Sequence, residues 1–284
     1  MSAVKLATIR LGTRTTAARI EENAGEAVEV SAADVGALLA QTDWAQIAAA
    51  AAGTRHSLSE VDYAPVVPKP GKIICVGHNY RAHIAEQGLE PPAYPSVFAK
   101  FSSALTGARD EILLPLTSDA VDWEVEMAVV IGSPAHRVNE HEALAAVAGY
   151  GVLNDVSMRD WQYRTPQFLQ GKTFDRATPF GPWLVTRDDP SVNEKGMELQ
   201  CEIDGETVQH GNTDDLVFGV AAIVSYLSND MTLRPGDVIS TGTPGGVGHF
   251  RTPPRYLQDG NLLVSRVDGL GECRNRFRQE REAV

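Results

Sequence analysis

The chain has 284 residues, 43% of them hydrophobic, enough for one large domain or a large and a small one built on a real core. Acidic residues outnumber basic ones by 37 to 25, for a net charge of -12, and no Lys/Arg block is present to track a phosphate backbone, so nucleic acid is excluded as an expected partner. The Ala-rich stretch 45–53 is far short of a membrane span and the N-terminus lacks the apolar core of a signal peptide, so a cytoplasmic protein that engages no membrane is expected.

Residues 4–11 and 15–21 read as short strands, and 31–52 as a helical stretch that Ser31 could cap. They form a small N-terminal α/β unit over residues 1–65. The run from Asp62 to Gly71 holds Pro65, Pro68 and Pro70 and no periodicity, which marks a boundary. Beyond it, residues 66–284 are dominated by short β-rich runs: strands are expected at 73–76, 125–131, 151–153, 183–186, 199–203, 238–240 and 262–267. Helical patches are confined to 139–150 and 217–229. Strands do not alternate with long helices, so the expected class is α+β around a mainly antiparallel sheet. Cys75, Cys201 and Cys273 are far apart with no C-x-x-C spacing, which fits buried reduced thiols.

The segment Val121-Asp122-Trp123-Glu124-Val125-Glu126-Met127-Ala128-Val129-Val130-Ile131 alternates acid with apolar residue and then turns wholly apolar. In a strand, residues i and i+2 share a face, so Asp122, Glu124 and Glu126 would line one surface with Trp123, Val125 and Met127 behind it. Such alternation also describes a polar face turned to water, but the apolar tail implies burial. Buried carboxylates a few ångströms apart raise one another's pKa or are held ionised by a cation, and a divalent metal is the economical explanation.

Asp155, after the next expected strand, is placed to complete three oxygen ligands, which favours Mg²⁺ or Mn²⁺ over zinc; capping a turn is the plainer role of an Asn-Asp pair. Arg159 and Lys172 could receive a substrate carboxylate, with Gln162 as a hydrogen-bond donor, or be ordinary ion-paired cations. In Gly77-His78-Asn79-Tyr80-Arg81-Ala82-His83-Ile84-Ala85-Glu86, His83 and Glu86 stand at i and i+3, where one helical turn lets the carboxylate orient the imidazole as a general base requires. The same spacing describes an exposed helix pair. The Gly-rich run 240–248 lacks the Lys-Ser/Thr end of a phosphate loop; it could contact a substrate carboxylate, with Thr243 the candidate residue, or form a tight turn.

In this order the motifs resemble the fumarylacetoacetate hydrolase superfamily: Gly-x-Asn-Tyr-x-x-His-x-x-Glu (77–86), Glu-x-Glu (124–126), Asp155, Arg-x-x-Gln (159–162), Gly-Lys-Thr-Phe-Asp (171–175) and Gly-Thr-Pro-x-Gly-Val-Gly (242–248). The resemblance covers about residues 72–277. It implies that Glu124, Glu126 and Asp155 bind Mg²⁺ or Mn²⁺, that His83 with Glu86 activates water on a segment closing over the substrate, and that Lys172 belongs to the catalytic set. It also implies a mainly β roll of mixed sheets and a homodimer. The fumarylacetoacetase branch has a further Asp ligand upstream of its His, whereas Cys75-Val76-Gly77-His78-Asn79-Tyr80 contains no acid. The chain therefore looks more like the shorter acylpyruvase, oxaloacetate decarboxylase and 2-hydroxyhepta-2,4-diene-1,7-dioate isomerase members.

The expected substrate is a small 2-oxo acid of the acylpyruvate type. His83, held by Glu86, deprotonates a water that attacks the distal carbonyl, and pyruvate leaves as a metal-stabilised enolate. Isomerisation of a 2-hydroxydienoate or decarboxylation of an oxaloacetate-type acid needs the same residues without the water. The pocket that separates these reactions is expected from Arg109, His136, Tyr163 and Arg164, with Arg81 a candidate for a distal carboxylate. A non-catalytic module whose acids hold an ion for stability is the competing class, and it needs neither His83-Glu86 nor Lys172.

Overall fold

The computed structural model describes residues 3–281. It begins with β1 (Lys5–Leu11), β2 (Arg14–Glu21), β3 (Glu26–Glu29), α1 (Val35–Leu39), α2 (Trp44–Ala49), β4 (Arg55–Ser57) and β5 (Asp62–Tyr63). Next come β6 (Ile73–Gly77), α3 (Arg81–Glu86), β7 (Ser96–Lys100), β8 (Leu105–Thr106), β9 (Ile112–Leu114), β10 (Val121–Asp122) and β11 (Val125–Ile131). The second half holds α4 (Glu140–Ala143), β12 (Val147–Asn154), β13 (Ser157–Met158), α5 (Arg159–Gln162), α6 (Leu169–Lys172) and β14 (Thr178–Thr186). It closes with β15 (Glu198–Ile203), β16 (Glu206–Asn212), α7 (Val220–Asp230), β17 (Val238–Ser240), β18 (Leu262–Val267) and β19 (Gly271–Gln279).

The class is α+β, as expected. Among the described residues a twelve-stranded sheet runs β4-β3-β2-β1-β14-β12-β11-β17-β6-β7, with β5 on β1 and β8 on β14. A five-stranded sheet runs β16-β15-β18-β19-β9, and β10 pairs with β13. Most ladders are antiparallel, while β17 with β6, β14 with β8 and β19 with β9 are parallel. No helix among the described residues is long and apolar enough to cross a membrane.

Two helical expectations are corrected. Residues 31–52 form two helices, and Asp34 rather than Ser31 caps the first, its Oδ1 accepting the Ala37 N–H at 2.7 Å. Within 139–150 only α4 is α-helical, set by a capping box between Asn139 and Glu142, and a 3-10 turn over Leu144–Ala146 leads straight into β12. An Ala/Val-rich segment suits either conformation, and the ladders to β11 and β14 decide it.

β11 is buried along its whole length between β12 and β17. Val125, Met127, Val129 and Ile131 feed one core cluster and Ala128 and Val130 the other. Strand alternation therefore puts Glu126 on the Ala128/Val130 face, at the end of the strand where that face opens into a cavity.

Candidate active site

Glu126 lies near the start of β11, Glu124 just before it and Asp155 just after β12. All three are buried, and one oxygen of each lies within 4.8 Å of the others. The register that sets Val125 opposite Asn154 brings the two strand ends together. There the regular ladder ends in one side-chain and one backbone bond: Asn154 Oδ1 accepts the Glu124 N–H at 2.9 Å, and the Asp155 N–H donates to the Glu124 carbonyl at 2.8 Å.

Asp122 does not share this face, contrary to the alternation. The chain leaves strand geometry at Trp123 and Glu124, between β10 and β11. Its carboxylate instead accepts the N–H groups of Gly248 and His249, at 2.7 and 3.0 Å, and Nε of Arg159 at 2.8 Å.

Three buried cations stand against these four buried carboxylates. Lys172 donates to Glu124 at 2.7 Å and to Asp155 at 2.9 Å. Arg159 reaches Glu124 at 2.7 Å as well as Asp122, and donates to Gln162 Oε1 at 2.8 Å. Lys100, which sequence reasoning missed, pairs with the other Asp155 oxygen. No local signal marks it: the strand pattern is inverted, with Val97 and Ala99 of β7 exposed and Lys100 buried.

The electrostatics are polarised. Burial, together with Asp155 and Glu124, pushes the Glu126 carboxyl up to about 8, although Ser240 Oγ and the Gly242 N–H donate to it. Burial alone would raise Glu124 too, but Lys172 and Arg159 outweigh it and hold that carboxyl at about 2. Burial likewise opposes the Lys172 and Arg159 cations, yet their carboxylate neighbours raise both above their ordinary values. The cluster therefore takes up a proton or a cation at Glu126. An all-oxygen, net-negative, buried set of three fits a divalent metal, with Glu124, Glu126 and Asp155 as the residues to hold it.

His83 sits on α3 and is 7% exposed. Its Nδ1 lies 2.5 Å from Glu86 Oε1, and the Gly246 N–H donates to the other Glu86 oxygen at 2.8 Å. With Nδ1 engaged, Nε2 is the nitrogen available to chemistry. His83, Glu124, Glu126, Arg159, Gln162 and Lys172 line one cavity of about 220 Å³. Thr243 lines it too, but its hydroxyl donates to the Val125 carbonyl at 2.9 Å, which makes the residue a strut between loop and strand.

Of the distal residues anticipated, Tyr163 lines the cavity. Arg109 stacks over Tyr63, Arg164 over Trp161, and His136 sits beside Thr232. Arg81 donates to the carbonyls of Asp215 and Leu216, so it braces a turn. Phe98, Phe168 and Phe250 add an aromatic stretch of wall, with His78 edge-on to Phe168, beside Val76, Gln87 and Leu89.

The model of the fumarylacetoacetate (FAA) hydrolase C-terminal family matches residues 72–278. The chain belongs to this family. Members of the fumarylacetoacetate hydrolase family are metal-dependent enzymes, in agreement with the buried acidic triad. Human "Oxaloacetate tautomerase FAHD2A, mitochondrial" is 44% identical over 220 residues, 77% of this chain and 70% of that protein. A fumarylacetoacetate hydrolase from the psychrophile Exiguobacterium antarcticum is 31% identical with a TM-score of 0.85, covering 98% of this chain and 100% of that one. A 2-hydroxyhepta-2,4-diene-1,7-dioate isomerase from Mycobacterium marinum is 32% identical with a TM-score of 0.81, over 98% and 99%.

Asn79 shows what else this family member's first motif does. It is 1% exposed, donates through Nδ2 to the carbonyls of Thr241 (2.8 Å) and Phe218 (3.1 Å), and accepts the Phe218 N–H at 2.9 Å. It thus pins the chain before α3 to the loop after β17, where Gly242 (φ +101°) passes so close that a Cβ there would lie 3.0 Å from Asn79 Cβ. Asn79→Ala is expected to lower the unfolding free energy by about 1–3 kcal/mol, read from urea denaturation, because one buried and two partly buried backbone groups lose their partner.

Proposed function

We propose that the protein is an enzyme dependent on Mg²⁺ or Mn²⁺ that transfers a proton at the carbon next to the 2-oxo group of a small 2-oxo acid. It would interconvert keto and enol forms, as of oxaloacetate, or positional isomers of a 2-hydroxydienoate. The observation that carries this reading is one small cavity lined both by Glu124 and Glu126 of the acidic cluster and by a histidine whose Nδ1 is held by a carboxylate. The names of the human and Mycobacterium marinum relatives support it.

A divalent metal held by Glu124, Glu126 and Asp155 would supply a Lewis acid that accepts negative charge developing on the substrate. Lys172 and Arg159 keep Glu124 ionised. Arg159 holds the Gln162 carbonyl oxygen, which leaves the Gln162 NH₂ to meet the substrate carboxylate. Aromatic side chains exclude water around a flat, conjugated acid. His83, oriented through Glu86, removes a proton with Nε2 and returns it at a second atom. Hydrolysis of the C–C bond of an acylpyruvate is the second reading, favoured by the full-length likeness to the Exiguobacterium hydrolase; there His83 deprotonates a water instead.

The test is an absorbance assay with Mg²⁺ over oxaloacetate, a 2-hydroxydienoate and an acylpyruvate, each with pyruvate and CO₂ detection. Metal-dependent loss of the enol band without pyruvate or CO₂ is the expected result. Pyruvate released in step with acylpyruvate loss would move the assignment to hydrolase, and no metal-dependent turnover of any of the three would overturn both readings.

A further inference from the structure

The loop from Gly242 to Gly248 touches both halves of the cavity. The Gly242 N–H donates to Glu126 at 2.7 Å, and four residues on the Gly246 N–H donates to Glu86 at 2.8 Å. A displacement of this loop would therefore reach a carboxylate of the acidic cluster and also the carboxylate that orients His83.

Gln209, on β16 of the five-stranded sheet, ties the loop down. It is 1% exposed and uses both ends of its amide. Oε1 accepts the Val125 N–H at 3.0 Å, while Nε2 donates to the Thr243 hydroxyl and to the Pro244 carbonyl, each at 2.8 Å. β16 lies directly on the loop. A Cβ on Gly211 would fall 2.4 Å from Pro244 Cβ, and one on Gly246, already at φ +102°, would fall 2.5 Å from the Val208 carbonyl oxygen. These contacts leave no slack between β16 and the loop, so the two-sided bonding of the Gln209 side chain, together with the Thr243 hydroxyl's own bond to the Val125 carbonyl, sets where residues 243–246 lie relative to Val125.

We propose that Gln209 is a positioning residue for proton transfer: it joins the loop to the acid-bearing strand, and through the Gly246 N–H it aims Glu86 and hence His83. The inference rests on the reading of His83 and Glu86 as the proton-transfer pair. Gln209 meets neither substrate nor the acids; its effect passes through Thr243, Pro244 and Gly246.

The experiment is a double-mutant cycle between Gln209→Met and Glu86→Gln, combined with amide hydrogen exchange. In the parent background Gln209→Met is expected to lower kcat about tenfold with KM changed less than about twofold, as for residues that orient a catalytic group from behind. In the Glu86→Gln background the further loss is expected to be under about twofold, because the two changes break one chain of contacts. Exchange over residues 242–248 should accelerate, and in Gln209→Met that of the Val125 amide too, while exchange over residues 126–131 of β11 stays as in the parent. Since Gln209→Met also leaves the Val125 N–H unpaired, Gly211→Ala serves as a second variant: it keeps Gln209, pushes on Pro244 and should give the same pattern. Equal kcat losses in the two backgrounds, or unchanged exchange over 242–248 in both variants, would overturn the proposal. If no substrate is turned over by the parent, the proton-transfer reading falls, while the exchange data still decide whether Gln209 positions the loop.

Discussion

His83→Ala is expected to lower kcat by about 10²–10⁴-fold, the usual contribution of a positioned acid-base group, with metal affinity and unfolding temperature unchanged. The selectivity follows from the contacts. Among the described residues the His83 side chain bonds only to Glu86, in its own helix, and its ring packs beside Phe250 at 6.1 Å. Its removal leaves Glu86 still held by the Gly246 N–H, so no buried charge is stranded. None of the lysine or arginine partners of Glu124, Glu126 and Asp155 is disturbed. Steady-state kinetics, a thermal melt and a metal titration on the same preparation provide the check. A variant that keeps more than about a tenth of the parent kcat would show that His83 is not the proton-transfer group.

Metal removal should show the second large effect, and it should depend on pH in a definite sense. Without metal, Glu126 titrates at about 8 in the folded chain against 4.5 as its ordinary value. A carboxyl raised on folding stabilises the fold fully below its unfolded value, and this contribution is lost as pH climbs through its folded value. The metal-free protein should therefore lose stability between about pH 5 and about pH 8. A divalent cation competes with that same proton, so its affinity and its stabilising effect should rise over this window, reaching about 2.7 kcal/mol at a hundredfold excess over Kd. Glu124, held at about 2, stays ionised throughout and adds no slope. Melts of chelator-treated protein with and without Mg²⁺ at the two ends of the window test this, and Glu126→Gln should abolish both the slope and the metal response. A metal-induced gain that is flat or falls with pH would contradict the assignment of Glu126 to the metal.

Most of this chemistry was legible because it is local in sequence. Glu124 and Glu126 sit next to an apolar run long enough to be a buried strand, His83 and Glu86 are one helical turn apart, and Asp155 ends a strand. What stayed hidden depends on contacts between distant segments. Asp122 obeys the alternation on paper, yet the Gly248 and His249 amides, more than a hundred residues away, draw it off the shared face. Lys100 and Gln209 stand in stretches with no motif, and their roles exist only because β7 and β16 are brought against the acids and the 242–248 loop. The helix expected over 139–150 failed for the same reason, since a segment able to adopt either conformation was claimed by its strand neighbours.

The cavity draws its acids from strands enclosed on both sides, but part of its wall from connections that face solvent. Leu89 and Tyr163 are half exposed, and residues 163–167 between α5 and α6 are exposed throughout. Replacements there touch neither β11 nor β12, so the charge cluster tolerates them. The lining of the cavity can therefore change in two surface connections while the charge cluster at the ends of β11 and β12 stays as it is. A rigid centre behind an adaptable rim is the arrangement expected of a scaffold whose relatives bear the names of a tautomerase, an isomerase and a hydrolase.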